Sequence, residues 1–196
     1  MGDNMSTKLV IWDSAAVPNA CVLKKRSEIE DSWELLDGVS RAANFPSDCT
    51  YSMNPDFPHD TLLVDNVINI HSTAVISIRL KQFLESRSLK RVEYLPVTIL
   101  DHRGRPASRD YFIAHPIEPV DCLDLNKSGA RYSAIDPETI QEVKQLVIDE
   151  SRLDPERELF RPKGYCRVIF ATRELAEAID KQGFTGTRWV EIAAHH

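Results

Sequence analysis

The residues best suited to nucleophilic chemistry in this sequence are His71 and Ser72, which follow Asp65 by a few positions. A serine nucleophile needs a histidine base beside it and an acid that orients the base. No nucleophile elbow or comparable motif surrounds the three residues. A structural role, or a turn that leads into the next helix, therefore explains them better than catalysis.

A second cluster with chemical potential is Asp56, His59 and Asp60, in a proline-rich stretch. Such side chains can ligate a metal ion, but on a loop they are usually solvated, and no partner set of ligands stands out elsewhere. The 7 glycines are scattered, so the sequence has no glycine-rich phosphate loop. We therefore expect no catalytic residue, no metal and no cofactor, which favours a binding protein.

One enzymatic alternative stays open at this point. A small hydrolase or nucleic-acid-processing enzyme could assemble its site from distant residues such as Asp65, His71, His115 and Arg161. A mutually hydrogen-bonded set of these residues in a concave pocket would favour the enzyme, whereas their scatter would favour a binding protein. A structural adaptor is a third possibility, which the sequence does not separate from a binding protein.

The length and the charge of the chain narrow the classes of partner. With 196 residues the chain suits one domain or two small ones. The net charge of −6 argues against direct nucleic-acid binding over the whole surface, because that requires clustered Lys and Arg. The same acidity is compatible with masking a basic protein partner, although it can also serve solubility alone.

The four cysteines are far apart and form no CxxC pair, so we expect buried free thiols in a reducing compartment. Cys122 is a poor nucleophile, because Asp121 and Asp124 would raise the pKa of its thiol. No stretch is long and apolar enough to span a membrane, and no leader pattern opens the sequence. We expect a cytoplasmic protein with no membrane contact.

The central stretch of the chain predicts a capped helix followed by a hairpin. Ser77 is a suitable N-cap for the helical pattern that begins at Ile78. The run VEYLPVTILD from Val92 predicts a strand, and the turn around Gly104 returns the chain as a second strand.

The end of the chain repeats this pattern. Thr172 to Ile179 matches Ser77 to Leu84 in its hydroxyl N-cap, its leucine three residues on and its aliphatic residue seven residues on. The strand from Thr187 then matches the strand from Val92. Two related layers or an old duplication would explain the similarity, and chance likeness of amphipathic helices is the alternative.

The predicted fold is therefore α+β: a single domain with a mixed, largely antiparallel sheet and two capped helices in pseudo-repeated strand-helix-strand units. Residues 1–60 form a variable N-terminal part, and residues 61–192 form the core. Further expectations are a strand over Lys8–Asp13 and a short helix over Glu28–Gly38. The stretch Ile140–Glu150 could suit a helix, but the run Leu146-Val147-Ile148 favours a strand at its end. Asn44–Asp60, which contains three prolines, is expected to be irregular.

Three segments in this order carry a family resemblance: SIRLKQFLESRSLKRVEYLPV from Ser77, ELFRPKG from Glu158 and ATRELAEAIDKQGFTGTRWVEI from Ala171. Over about residues 60 to 192 the chain resembles the bacterial polymorphic-toxin immunity family numbered eleven in the immunity-protein series, of the myxobacterial and proteobacterial type. Departures are Thr172 in place of the usual serine and the proline-rich insert at Asn44–Asp60.

The resemblance implies an antidote that binds the toxin encoded by the adjacent gene and blocks its active site or its substrate path. The family carries no catalytic residues, and toxins beside it are often histidine-rich, metal-dependent nucleases. An acidic antidote suits a basic nuclease whose substrate is a polyanion. We predict that two acidic segments contribute to the toxin-binding surface, although a solvated charged face is the alternative. The predicted toxin-binding residues are Glu28, Glu30, Asp31, Trp33, Asp149, Glu150, Asp154, Glu156 and Glu158.

Overall fold

The structure is a computed structural model that describes residues 8–132 and 140–194. Its strands are β1 (Leu9–Ser14), β2 (Leu23–Arg26), β3 (Thr50–Met53), β4 (Asn66–Val67), β5 (Ala74–Ser77), β6 (Val92–Leu100), β7 (Pro106–Pro116), β8 (Arg131–Tyr132), β9 (Ile140–Glu142), β10 (Leu159–Phe160), β11 (Ile169–Thr172) and β12 (Thr187–Glu191). Its α-helices are α1 (Glu34–Asp37), α2 (Ile78–Ser86) and α3 (Arg173–Lys181), and two short 3-10 helices span Glu150–Arg152 and Ile192–Ala194. The predicted α+β class is confirmed.

The larger sheet has the order β2-β3-β6-β7-β5-β4, with one parallel pair, β3 and β6. Its two ends are joined by backbone hydrogen bonds, because Cys21 N donates to Leu62 O (2.9 Å) and Leu23 N donates to Ile68 O (2.8 Å). The sheet thus closes on itself, and we call this part the barrel. All six strands send apolar side chains into its interior, among them Leu23, Tyr51, Val67, Val75, Leu95 and Ile113.

The smaller sheet has the order β10-β11-β1-β12 and is antiparallel throughout. Its centre is β1, where consecutive apolar residues serve two faces, as the period of two in a strand requires. Val10 and Trp12 face the layer that holds α2 and α3. Leu9 and Ile11 face the opposite side, where Phe160 also packs.

The two predicted strand-helix-strand units are both present and share one topology. In the first, β5 and β6 both pair with β7 and α2 connects them. In the second, β11 and β12 both pair with β1 and α3 connects them. The two helices pack in one apolar layer between the sheets, where Leu80 and Leu84 of α2 meet Leu175 and Ile179 of α3.

The predicted helix caps are also confirmed. Ser77 Oγ accepts a hydrogen bond from Leu80 N (3.2 Å), and Thr172 Oγ1 accepts one from Leu175 N (3.2 Å). Each hydroxyl satisfies a backbone N–H that has no partner within its helix.

Three local predictions differ from the structure in the extent or the place of the element. The supposedly irregular stretch Asn44–Asp60 contains β3, because its Tyr51 and Met53 supply the barrel interior and the neighbouring strand supplies backbone partners. The helix expected over Glu28–Gly38 shrinks to the four residues of α1. The strand expected at the end of Ile140–Glu150 is absent there apart from an isolated bridge at Ile148, and β9 lies at the start of the stretch instead. No helix in the described ranges is both long and apolar enough to cross a membrane.

Candidate functional site

Asp65 is the centre of a polar cluster that joins the two units. Its carboxylate accepts hydrogen bonds from Ser77 Oγ (2.7 Å), from Arg79 Nη2 (2.7 Å) and from both the backbone N (2.9 Å) and Oγ1 (3.0 Å) of Thr185. Burial disfavours the charged form, but the hydrogen bonds from Arg79, Thr185 and Ser77 outweigh it and lower the pKa of Asp65 to about 2. Asp65 is therefore a structural anion that is charged at neutral pH.

The turn that carries Thr185 is held close to the barrel by Gly186. This residue has a φ of 81°, and a Cβ there would lie 2.3 Å from Asn66 O. Asn66 Nδ2 in turn donates to Gly186 O (3.1 Å). The Gly183–Gly186 turn, part of the family resemblance, therefore connects the two units and holds the fold together.

The other residues of the enzymatic alternative have structural surroundings. His115 is fully buried and its Nε2 lies 2.7 Å from Val39 O, while burial lowers its pKa. Arg161 is also buried, donates from Nη1 to Cys166 O (2.6 Å), and has its pKa lowered to about 10 by burial. The ring of His71 packs edge-on against Tyr51, with centroids 5.6 Å apart.

No hydrogen bond between described residues joins any two of Asp65, His71, His115 and Arg161. Asp65 lies in the polar cluster and His71 beside Tyr51, whereas the charge of Arg161 reaches His115 and helps burial to lower its pKa. Within residues 8–132 and 140–194, no group of three His, Cys, Asp or Glu side chains is placed to hold a metal ion.

The first acidic segment, residues 28–37, buries Ile29 and Leu35 in the barrel interior but leaves most of its carboxylates exposed. Glu28, Glu30 and Asp31 are exposed, and no ion pair to another described residue engages them. Trp33, which follows them, is 57% exposed, an unusual state for so large an apolar group, and its Nε1 donates to Asp31 Oδ1 (3.4 Å). Aromatic side chains with this exposure are common anchors of protein interfaces.

Buried contacts hold the backbone of this segment in place. Arg41, itself buried, forms an ion pair with Glu34 and donates from Nη2 to Glu30 O (3.0 Å). The backbone N of Arg41 also donates to Glu93 Oε2 (2.8 Å). The backbone of the segment is therefore held in place while Glu28, Glu30 and Asp31 have no cation partner among the described residues, which reduces the entropy lost when a partner binds.

A groove of about 510 Å³ runs along the start of the first acidic segment. Glu28 and Glu30 line it together with Ile29, and Arg26 and His71 line it from the barrel side. Burial, followed by the charge of Arg26, lowers the pKa of His71. The groove therefore combines exposed carboxylates with an apolar side chain.

The second acidic segment, residues 149–158, uses its carboxylates within the fold. Asp149 Oδ1 accepts from Ser151 N (3.1 Å) at the start of the 3-10 helix, and Asp154 Oδ1 accepts from Glu156 N (2.9 Å). Glu158 forms an ion pair with Arg87 at the end of α2 (2.8 Å). The remaining side chains are Glu150, which is exposed, and Glu156, which pairs with Lys90.

Both acidic segments approach one short piece of chain, Ile117–Glu118. Gly38 O, directly after the first segment, accepts from Glu118 N (2.9 Å). Arg157 in the second segment donates from Nη2 to Ile117 O (2.7 Å) and to Glu118 O (3.1 Å). The fold thus brings together two segments that are more than a hundred residues apart in sequence.

Sequence reasoning missed the residues that anchor these segments, Arg41, Glu93 and Arg157. One signal was available, because the first segment contains no basic residue, whereas the second contains Arg152 and Arg157 among its acids. A segment with its own cations can neutralise its carboxylates internally.

A family model described as immunity protein family (Imm11) matches residues 10–194. The match covers nearly the whole chain, so the chain belongs to this immunity protein family. It also extends over the N-terminal part, which the resemblance noted above did not cover. None of the curated proteins compared with the chain matches it.

Proposed function

We propose that this member of the immunity protein family binds and neutralises a cognate toxin in the cytoplasm, with the first acidic segment as the main docking surface. The toxin is a basic, metal-dependent nuclease encoded by the adjacent gene, and binding blocks its active site or its substrate path. The protein contacts neither nucleic acid nor a membrane.

The observation that carries this proposal is the pairing state of the first acidic segment. Glu28, Glu30 and Asp31 lie just before the exposed Trp33, whose Nε1 donates to Asp31 Oδ1 (3.4 Å), and no described cation neutralises them. Carboxylates without a cation partner, next to an aromatic anchor, suit a basic surface with an apolar recess. The second acidic segment contributes less, because most of its carboxylates already serve the fold.

The first test is co-expression and pull-down with the product of the neighbouring gene. We expect that product to be toxic alone, to be neutralised by this protein, and to form a tight stoichiometric complex with it. A neighbour that is harmless, or that is neither bound nor neutralised, would contradict the proposal.

Trp33→Ala then tests the docking surface within that complex. Interface aromatic anchors typically contribute at least ~2 kcal/mol, so we expect affinity to fall by more than about tenfold. Phe57→Ala is the matched control, since Phe57 is an aromatic residue of similar exposure, 48%, outside the acidic segments. Equal affinities for the two variants would remove the first acidic segment from the interface.

A further inference from the structure

The β12 strand is a sheet edge that no described segment covers. The two ends of the barrel sheet are joined by the hydrogen bonds of Cys21 and Leu23. On the smaller sheet, the chain leaving β10 is bridged by Val120, whose N donates to Arg161 O (2.9 Å). Among the described residues, β12 pairs with β1 on one side and with no segment on the other.

The register identifies the backbone groups that face outward from β12. Thr187 pairs with Ser14, and Ala15 N donates to Gly186 O (2.8 Å) at the next position of the same ladder. Hydrogen-bonded and non-hydrogen-bonded pairs alternate along an antiparallel ladder. The N–H and C=O groups of Thr187, Trp189 and Glu191 therefore point away from β1.

This edge lacks the usual devices that prevent pairing with another strand. It contains no proline, and its register with β1 runs without a bulge from Glu191 to Thr187. Its two charges are held by its own chain, because Arg188 pairs with Asp13 and Glu191 pairs with Arg173 (2.8 Å). The edge therefore presents a regular row of backbone donors and acceptors.

We propose that β12 pairs antiparallel with β12 of a second copy of this chain, forming a twofold dimer with one continuous eight-stranded sheet. A twofold axis at Trp189 places the outward groups of the two strands opposite each other. Thr187 then faces Glu191 of the other copy, which allows its hydroxyl to donate to the carboxylate. Arg188 faces Val190, so no like charges oppose each other.

We choose a second copy as the partner because the side chains of β12 are compatible with an antiparallel pairing of β12 with itself. With the axis at Arg188 the two guanidinium groups would face each other, which is unfavourable. With the axis at Trp189, the side chains of Thr187, Trp189 and Glu191 share the α3 side of the sheet. This inference is independent of toxin binding and is tested with the protein alone.

The first measurement is analytical ultracentrifugation of the full chain over a range of concentrations, combined with amide hydrogen exchange by NMR. We expect a monomer–dimer equilibrium in which exchange at Thr187, Trp189 and Glu191 slows as the concentration rises. The amides of Arg188 and Val190, already bonded to β1, should not respond. A monomer at all concentrations up to ~1 mM, or a dimer without this alternation, would overturn the proposal.

Two variants at Thr187 test the register with opposite expectations. Thr187→Glu places a carboxylate opposite Glu191 twice per dimer, whereas Thr187→Lys places an ammonium there. Each cross-strand charge pair has a modest effect on the free energy of dimerisation. We therefore expect the dissociation constant of the dimer to be about 2- to 30-fold higher for Thr187→Glu and about 2- to 30-fold lower for Thr187→Lys than for the unchanged chain. Circular dichroism verifies that both variants fold, and equal dissociation constants for the two would refute the register.

Discussion

The two acidic segments have the same number of carboxylates but use them in different ways. Residues 28–37 and 149–158 each contain five acidic residues. In the first segment, Glu28, Glu30 and Asp31 point to solvent without a cation in the described chain. In the second segment, Asp149 and Asp154 bond backbone N–H groups of their own segment.

The difference shows that local acidity does not by itself define a binding surface. A carboxylate that caps a turn or pairs with Arg87 has already exchanged its hydration for a protein contact, so a partner gains less from it. A carboxylate without such a contact is not neutralised by the fold, so its charge can attract a basic partner. Whether the carboxylates are already paired within the fold, and not how many there are, distinguishes a docking surface from a structural loop.

Arg157→Ala should produce the largest effect in this comparison. Arg157 is buried and bonds two carbonyls, so its loss leaves Ile117 O and Glu118 O without their charged donor. We expect the free energy of unfolding to fall by about 2–4 kcal/mol, measured by urea denaturation. The control is Arg152→Ala, since the side chain of Arg152 is exposed and should contribute less than ~1 kcal/mol. Equal losses would show that Arg157 does not anchor the second segment.

Charge reversal of each segment comes next in size. Changing Glu28, Glu30 and Asp31 to Lys should slow association with the toxin by about 10- to 100-fold at low salt, because electrostatic steering is reversed. The unfolding free energy should fall by less than ~1 kcal/mol, since these side chains are exposed and only Asp31, with a φ of 49°, is replaced in the left-handed region.

The matched variant for this reversal is Glu150→Lys together with Glu156→Lys in the second segment. We expect its association rate to change by less than about threefold, because this segment contributes little to steering. Stopped-flow association rates at several salt concentrations measure both effects. A larger slowing from the second segment would invert the comparison.

Protonation of Asp149 at acid pH should lower the free energy of unfolding, by less than the changes above. Hydrogen bonds from the Ser151 side chain and backbone lower the pKa of Asp149 below its ordinary 3.8, as does the charge of Arg152. A lowered pKa in the folded state means that Asp149 stabilises the fold above about pH 4, and that this stabilisation is lost as pH falls below that value. NMR titration of the carboxyl carbon should give a midpoint below 3.8. Ser151→Ala should raise that midpoint, and an unchanged midpoint would show that the cap does not act on Asp149.

The smallest effect is expected from Glu156→Gln. Glu156 and Lys90 form an ion pair whose side chains are 63% and 56% exposed. Exposed pairs contribute little, so the unfolding free energy should change by less than ~0.5 kcal/mol. A loss above ~1 kcal/mol in thermal denaturation would mean that the second segment depends on its surface pairs as well as on Arg157.

The enzymatic alternative illustrates a limit of reading chemistry from residue types. Asp65 and His71 are close in sequence and have the residue types of a catalytic pair. In the structure Asp65 turns to Arg79 and Thr185, while His71 packs against Tyr51. Side-chain direction, which depends on the tertiary fold, leaves Asp65 and His71 without the mutual hydrogen bond that a catalytic pair needs.

The amino-acid sequence by itself determined the helix caps at Ser77 and Thr172, the β6–β7 hairpin and the similarity of the two strand-helix-strand units. These features depend on signals within a few residues, such as a hydroxyl followed three positions later by leucine. The charge of the two acidic segments is likewise a property of composition.

Only the tertiary structure decided how the barrel closes, how Asp65 joins Thr185 and which carboxylates remain unpaired. The Asp65–Thr185 contact spans 120 positions, and the Arg157 contact to Ile117 spans 40. No local pattern specifies such partners, because they follow from how the sheets and helices pack around three shared apolar clusters. The free acidic surface exists because Ile29 and Leu35 enter the barrel interior while Glu28, Glu30 and Asp31 stay outside it, where no described cation pairs with them.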